Sequence, residues 1–416
     1  MTINLNIKCP YCGKAFSLKM QMDNVVYHGQ SPFSIVCPDC LSELTGNYGK
    51  KGLLPLNLIG GDDEYGTVVG YSSTLPVPEH LYLNDDWPTV GLSSVFMNLS
   101  IVYGDLSLDN YGPYVNMVVN NLLPVKKALS VLRNILQSSN VRAFNVAINK
   151  EYGKAHGYRI PTTEGECKAF FDNRLNDVYK LLVTDRYADV FFIPHIAILL
   201  ENIKRGNANV FGDIYKSLSA IVNFTDWQRK EAYPFIARMI GEFDKFLPIL
   251  FLSQIGEYNV AHPTLRITTI NRDDVNSFYN QGVETLDHIL PLYVGLTNWM
   301  MNNDVDCFQN AAAKGISGID HFSKLPLGGK MDKTLDYPEV AEYLGPAVKT
   351  EIRNGIAHNG VQYAPKDQIL SYYHKVNDPT IHYDEQLIDV ALRCYLLLLH
   401  VMEMSHLLNV LRSKKK

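Results

Sequence analysis

The chain has 416 residues, 46% hydrophobic and 19% charged, with a formal net charge of -5. That length allows two or three domains, and the apolar share is enough for a sizeable core. The acidic balance excludes a basic nucleic-acid coat, so any RNA contact must come from a local patch. Met1 to Lys8 lack the apolar core of a secretion signal. No apolar run reaches the roughly 18 residues of a membrane helix. The longest, Ala188 to Leu200, is broken by Asp189, Pro194 and His195. The expectation is a cytoplasmic protein that does not enter a membrane. Four of the seven cysteines fall in Cys-x2-Cys pairs, and Cys167, Cys307 and Cys394 stand alone. This is metal usage with reduced core thiols, not a disulfide frame.

Residues 1–50 read as a metal module. Cys9-Pro-Tyr-Cys12-Gly13 and Cys37-Pro-Asp-Cys40 are two tight knuckles with 24 residues between them. Each knuckle points two thiolates at one centre, and two knuckles complete a tetrahedral site. Gly13 stands where such a turn needs positive φ. Val25 to His28 and Phe33 to Val36 read as short strands. The module resembles a zinc ribbon with Cys9, Cys12, Cys37 and Cys40 holding a structural zinc; four cysteines close the sphere to catalysis. His28 is a substitute ligand or an exposed turn residue. Lys8, Lys14 and Lys19 fit either an RNA contact or a plain structural cap.

Residues 51–260 read as a connector followed by a mostly helical middle region. Gly60-Gly61 lacks the Lys-Ser/Thr of a phosphate loop, and Asp62, Asp63 and Glu64 read as a solvated acidic turn. Apolar spacings of three and four predict helices over Val115–Leu136 (broken or kinked at Pro124), Glu164–Leu182, Ala188–Asn202, Val210–Phe224 and Asp226–Phe246. Lys150 to Arg159 interleaves Lys150, Lys154, His156 and Arg159 with Tyr152 and Tyr158. That mixture suits single-stranded nucleic acid, and equally an ordinary polar connector. No internal repeat or low-complexity tract is present.

Residues 261–416 read as a helical domain. A long helix is expected from Asp273 to Met301, kinked at Pro291, and another from Asp304 to Ser323. Leu327 to Lys330 reads as a loop. A short helix is expected from Pro346 to Asn359-Gly360, then a connector from Val361 to Tyr383. A terminal helix from Asp384 to Leu411 is rich in leucine, as a bundle core or a dimer face requires. Lys414 to Lys416 reads as a solvated basic end.

Two arginine–histidine pairs in this part share a related spacing: Arg353 with His358, and Arg393 with His400. With 13 arginines and 12 histidines in the chain, roughly one such match arises by chance. Context separates the pairs. Arg393 and His400 lie in an apolar run that reads as a buried helix face. Arg353 and His358 lie among Asn354, Gly355 and Ala357, small residues that leave room for a substrate or a second subunit. The same residues also fit a helix C-terminus, with Asn359-Gly360 as its stop.

Arg353-Asn354-Gly355-Ile356-Ala357-His358 resembles the Arg-x4-6-His signature of HEPN domains, helical ribonucleases that work without metal. The fold this implies is mainly α: a C-terminal HEPN-like bundle, a helical middle region and a small N-terminal β zinc ribbon. The resemblance implies that Arg353 holds phosphate, His358 is the acid/base and Asn354 orients the histidine or the substrate. It also implies RNA as substrate, a homodimer whose cleft joins two motifs, and an antiviral abortive-infection toxin with a protein or phage-derived activator. Glu284, Asp287 and His288 are candidates for the extra polar residue such families carry on a preceding helix. The alternative is a non-catalytic HEPN-like module for dimerisation or for nucleotide or RNA binding, with the ribbon as adaptor. A zinc hydrolase is disfavoured because no His-Glu-x-x-His is present.

Overall fold

The computed structural model describes residues 2–21, 30–49, 57–58, 77–78, 123–151, 159–182, 208–250, 265–308, 315–334, 338–373 and 382–413. His28, the acidic turn 62–64, most of the basic-aromatic stretch (152–158), the expected helix at 188–202 and the tail 414–416 lie outside them. The described chain is mainly helical, with small antiparallel sheets. Among the described residues no helix is long and apolar enough to cross a membrane.

The strands are β1 (Thr2–Lys8), β2 (Ala15–Gln21), β3 (Gln30–Val36), β4 (Glu43–Gly49), β5 (Asn57–Leu58), β6 (Val77–Pro78), β7 (Leu265–Arg266), β8 (Val361–Ala364), β9 (Ile369–Tyr373) and β10 (His382–Gln386). The helices are α1 (Leu123–Gln137), α2 (Val141–Glu151), α3 (Glu164–Leu182), α4 (Ala208–Ile221), α5 (Phe224–Trp227) and α6 (Tyr233–Gly241). They continue as α7 (Arg272–Asn302), α8 (Ile319–Ser323), α9 (Leu327–Thr334), α10 (Pro338–Leu344), α11 (Thr350–Ala357) and α12 (Leu387–Ser413). A π-turn over Gln228–Ala232 joins α5 to α6. The chain forms two compact units, each assembled from separate stretches. One holds Met1–Pro124, Glu242–Phe278 and Asn354–Tyr395; the other holds Val125–Gly241, Tyr279–Arg353 and Leu396–Lys416.

The first unit carries the sheets. β1 and β2 form a hairpin closed by Lys8 opposite Ala15, and β3 and β4 a hairpin closed by Val36 opposite Glu43. Phe16, Ile35 and Leu44 are buried. The buried Gln368 amide brackets the backbone of Ile267, donating to its carbonyl and accepting from its N–H, both at 2.9 Å. β10, β9 and β8 form a three-stranded sheet. Leu370 and Tyr372 are buried on one of its faces, while Gln362, His382 and Asp384 are exposed on the other.

The second unit is helical. α3 starts with reciprocal capping: the Glu166 N–H donates to Thr163 Oγ1, and the Thr163 N–H donates to the Glu166 carboxylate, both at 3.2 Å. Its buried stripe is Cys167, Phe171, Leu175, Val178 and Leu182, the spacing of one helix face. Phe171 meets Tyr233 edge-on at 5.3 Å. Trp227 donates its indole N–H to the Thr285 carbonyl at 2.8 Å.

Several elements differ from the sequence expectation. Leu327 to Lys330 is the start of α9, not a loop: the Lys330 N–H reaches the Pro326 carbonyl at 2.9 Å, and the two glycines sit in a first turn whose last residues are buried. The connector 361–383 contains the sheet. α12 begins at Leu387 because His382–Gln386 pair with β9. The motif helix begins at Thr350, after a segment pinned by Tyr279, whose hydroxyl accepts from the Lys349 N–H at 2.7 Å. Pro124 falls in the first turn of α1, where its missing N–H costs no helix bond. In the expected 304–323 helix, the described residues before Ile319 are not helical, and Asp306 accepts from the Ile319 N–H at 2.8 Å.

Gly355 is where α11 meets β9. A Cβ there would stand 2.7 Å from the Cβ and 3.1 Å from the Cα of Tyr372. Neither backbone can yield such a distance cheaply, so Gly355→Ala is expected to destabilise the chain by about 1–3 kcal/mol. Urea denaturation followed by circular dichroism checks this, and an unchanged midpoint would contradict the packing.

Candidate functional site

The four paired cysteines converge. Their sulfurs all lie within 4.8 Å of one another, with Cys9 to Cys40 at 3.6 Å and Cys12 to Cys37 at 3.7 Å. A tetrahedral ion with sulfur ligands at about 2.3 Å sets its sulfurs about 3.8 Å apart, so the donor set fits such an ion. The two knuckles have one geometry. The Gly13 N–H donates to the Cys9 carbonyl at 2.9 Å, and the Leu41 N–H to the Cys37 carbonyl at 3.0 Å. Gly13 has φ +72° and Leu41 φ +60°. Leucine thus holds the left-handed position in the second knuckle, which is why the sequence signals it only at the first. Burial pushes the Cys37 thiol up to about 12, while the Ser42 hydroxyl pulls Cys40 down to about 6. A bound cation would let all four ionise together. Lys14, weighed as an RNA contact, is engaged by Asp39 of the other knuckle at 2.6 Å.

Arg353 and Asn354 lie on α11, and both are half-buried. The Arg353 Nε atom is buried with no hydrogen-bond partner. His358 follows the last residue of the helix and is exposed. Its N–H donates to the Asn354 carbonyl at 3.0 Å. The helix then stops: the Asn359 N–H reaches the Ile356 carbonyl at 3.1 Å and the Gly360 N–H reaches the Gly355 carbonyl at 2.8 Å. Asn359 has φ +54°. This is the paired closure of a helix whose first residue past the cap is left-handed. The Asn359-Gly360 stop anticipated from the sequence is therefore present. The space beside Gly355 is not free for a ligand, because Tyr372 of this chain fills it.

The second pair is placed differently. Arg393 makes a fork with Glu385, with contacts of 2.7 and 2.9 Å. His400 is fully buried and meets the Tyr343 ring edge-on at 4.5 Å. Burial pulls its imidazole down to about 3. Beside it Tyr343 donates its hydroxyl proton to Glu403, whose carboxyl burial raises well above the ordinary range.

The three candidates on α7 are all engaged. Glu284 accepts from Asn280 at 3.0 Å. Asp287 pairs with the buried Lys330 at 3.0 Å. His288 Nδ1 lies 2.6 Å from Glu231, which raises its pKa. Neither Glu231 nor Lys330 was visible as a partner in the sequence, since nothing local links them to α7.

Compared with known proteins, the chain matches no protein-family model, no curated protein and no solved structure.

The purified chain is expected to carry one metal ion per molecule, and Cys37→Ser to lose it; elemental analysis with thiol titration decides. The His400 pKa is depressed on folding, so its contribution to stability is present above the unfolded value near 6.5 and lost as pH falls toward 3. Within that window this one group removes about 1.4 kcal/mol of stability per pH unit. Urea midpoints from pH 7 to pH 4 are expected to fall less steeply in His400→Gln than in the parent.

Proposed function

We propose that the chain is a metal-independent endoribonuclease of the HEPN type, acting through Arg353 and His358. The observation that carries the reading is the state of His358. Its ring is exposed at the open end of α11, and among the described residues no side chain takes it. The alternative pair fails on this point, because a sealed, neutral His400 has no access to solvent or substrate.

The chemistry needs three events. A base removes the proton of the ribose 2′-hydroxyl, and the oxygen attacks phosphorus. The P–O5′ bond breaks, leaving a 2′,3′-cyclic phosphate. The departing 5′-oxygen takes a proton. An imidazole serves either transfer near neutrality. A guanidinium fork stabilises the charged phosphorane. On a regular helix five residues turn the side chains about 140° apart. One imidazole also cannot serve both sides of a phosphate at once. Both constraints favour a homodimer in which two motifs share a cleft. Asn354 orients the histidine or the substrate, and the Cys9/Cys12/Cys37/Cys40 module is a zinc ribbon with a structural zinc. The setting is a cytoplasmic abortive-infection toxin. The angular separation equally supports a second reading, a HEPN-like dimerisation module without catalysis.

Purified protein is expected to cut single-stranded RNA in EDTA and leave cyclic phosphate ends. Arg353→Ala and His358→Ala are each expected to lower the rate by about 10²-fold or more. Cleavage that survives in both variants rejects the assignment. A dimer that never cuts RNA selects the second reading.

A further inference from the structure

A cluster in the helical unit has no role in that chemistry. It is built on Gln228, which opens the π-turn between α5 and α6. Gln228 is fully buried. Its amide nitrogen donates to the Ser405 carbonyl at 3.1 Å, to Ser405 Oγ at 3.0 Å and to Asn409 Oδ1 at 3.3 Å. Those acceptors fix the amide, so its oxygen must face the other way. Two cations meet it there: Lys168 donates to that oxygen at 3.2 Å, and Arg412 donates to it as well.

The other partners of these cations are also neutral. Arg412 donates from Nε to the Tyr215 hydroxyl at 3.0 Å and from Nη2 to Thr225 Oγ1 at 3.1 Å. Neither Lys168 nor Arg412 forms an ion pair with a carboxylate among the described residues. Arg229 adds a third positive charge to the field at Lys168. The buried carboxyl of Asp172 lies in the field of both cations and accepts from Tyr233 and Asn409; burial raises its pKa against those partners. Burial first, then Arg412, lower the pKa of Lys168; the Asp172 carboxyl opposes them, and Arg229 adds a smaller lowering.

Two half-buried cations converging on one neutral oxygen, with Arg229 as a third positive charge and the buried carboxyl of Asp172 as their counterweight, leave an excess of positive charge that is costly. Burial removes the water that would screen them, and like charges repel more strongly in the weaker dielectric. The chain holds them together through a rigid amide set by a π-turn, a deviation that occurs often at functional sites. A dianion between Lys168 and Arg412 would balance the charge, and the Thr225 hydroxyl adds a neutral partner.

We propose that this cluster, formed by α3, the π-turn and the last turns of α12, binds a phosphate monoester, with Lys168 and Arg412 as its charged donors. The cations are recessed and point at one spot rather than forming a stripe. A compact terminal phosphate on a small molecule therefore fits, and an extended RNA backbone does not. The site is independent of Arg353 and His358.

The test is thermal unfolding with inorganic phosphate against chloride at matched ionic strength. The midpoint is expected to rise saturably with phosphate in the parent and in His358→Ala alike. Lys168→Gln and Arg412→Gln are each expected to weaken the apparent affinity by about tenfold or more. Thr225→Glu, at an exposed position, sets a carboxylate beside Arg412 and is expected to shrink the phosphate shift; it carries the test if a charge variant does not fold. Adenosine monophosphate is expected to reproduce the shift, and adenosine or an oligoribonucleotide with hydroxyl ends is not. A parent shift no larger with phosphate than with chloride overturns the proposal. So does an affinity unchanged in the charge variants, or a larger shift with the oligonucleotide than with phosphate.

Discussion

The described fold depends on what a helix must do when it is buried on every side. Every residue of α12 from Cys394 to Ser405 is buried, so this helix has no solvent face. Its backbone is satisfied internally, but its side chains have only other side chains to meet. His400, Glu403 and Ser405 are polar and sit inside that stretch. Each sets a demand on a neighbour. Tyr343 bonds Glu403 and lays its ring against His400, while Tyr293 stacks on Tyr343 at 5.1 Å. Gln228 takes the Ser405 hydroxyl and carbonyl. These contacts specify register more sharply than apolar packing, because removing one partner strands the other in a medium that cannot solvate it.

That logic explains which elements were legible in the sequence. α3 and α7 show apolar periodicity and α12 a long leucine-rich run, and tertiary packing only confirmed what those patterns announced. Pro291 lies inside α7 without ending it. β8, β9 and β10 were missed because each has five residues or fewer and their tyrosines suit either face. Tyr372 is buried and Tyr373 half-buried, though nothing in the dipeptide says which points inward until β9 pairs. Gly328 and Gly329 argued for a loop, and the packing of Met331 and Thr334 outweighed them. The cysteine cluster was legible because its signal is spacing, which the chain carries locally. Leu41 is the counterexample: a left-handed leucine that only the knuckle's hydrogen bonds reveal.

The two arginine–histidine pairs show how little a spacing decides by itself. Arg393 is answered by Glu385, and His400 is dry and neutral, so that pair serves the core. Around Arg353 the small residues matter, and at Gly355 the room they were expected to leave is taken within the chain. Gly355 gives its space to Tyr372 of the same chain, which fixes α11 against β9. What remains open is the end of the helix, where His358 follows the last turn. The closure through Asn359 and Gly360 does not compete with a role for the ring, because it uses backbone groups only. A helix stop and an acid/base position are compatible at one residue when the first is made by the main chain and the second by the side chain.

Charge placement separates that position from the Gln228 cluster. An exposed imidazole keeps its water and needs no partner to be stable. A half-buried guanidinium and ammonium have lost much of theirs, and a neutral amide oxygen does not replace it. Evolution of a core has an inexpensive remedy for such a pair, a carboxylate at position 225 or an apolar residue at 168. The chain has neither: the buried carboxyl of Asp172 answers the charges in part, and Gln228 is held by three acceptors on its far side so that its oxygen cannot turn away. The excess of positive charge that this rigid support maintains is what the proposed phosphate would answer.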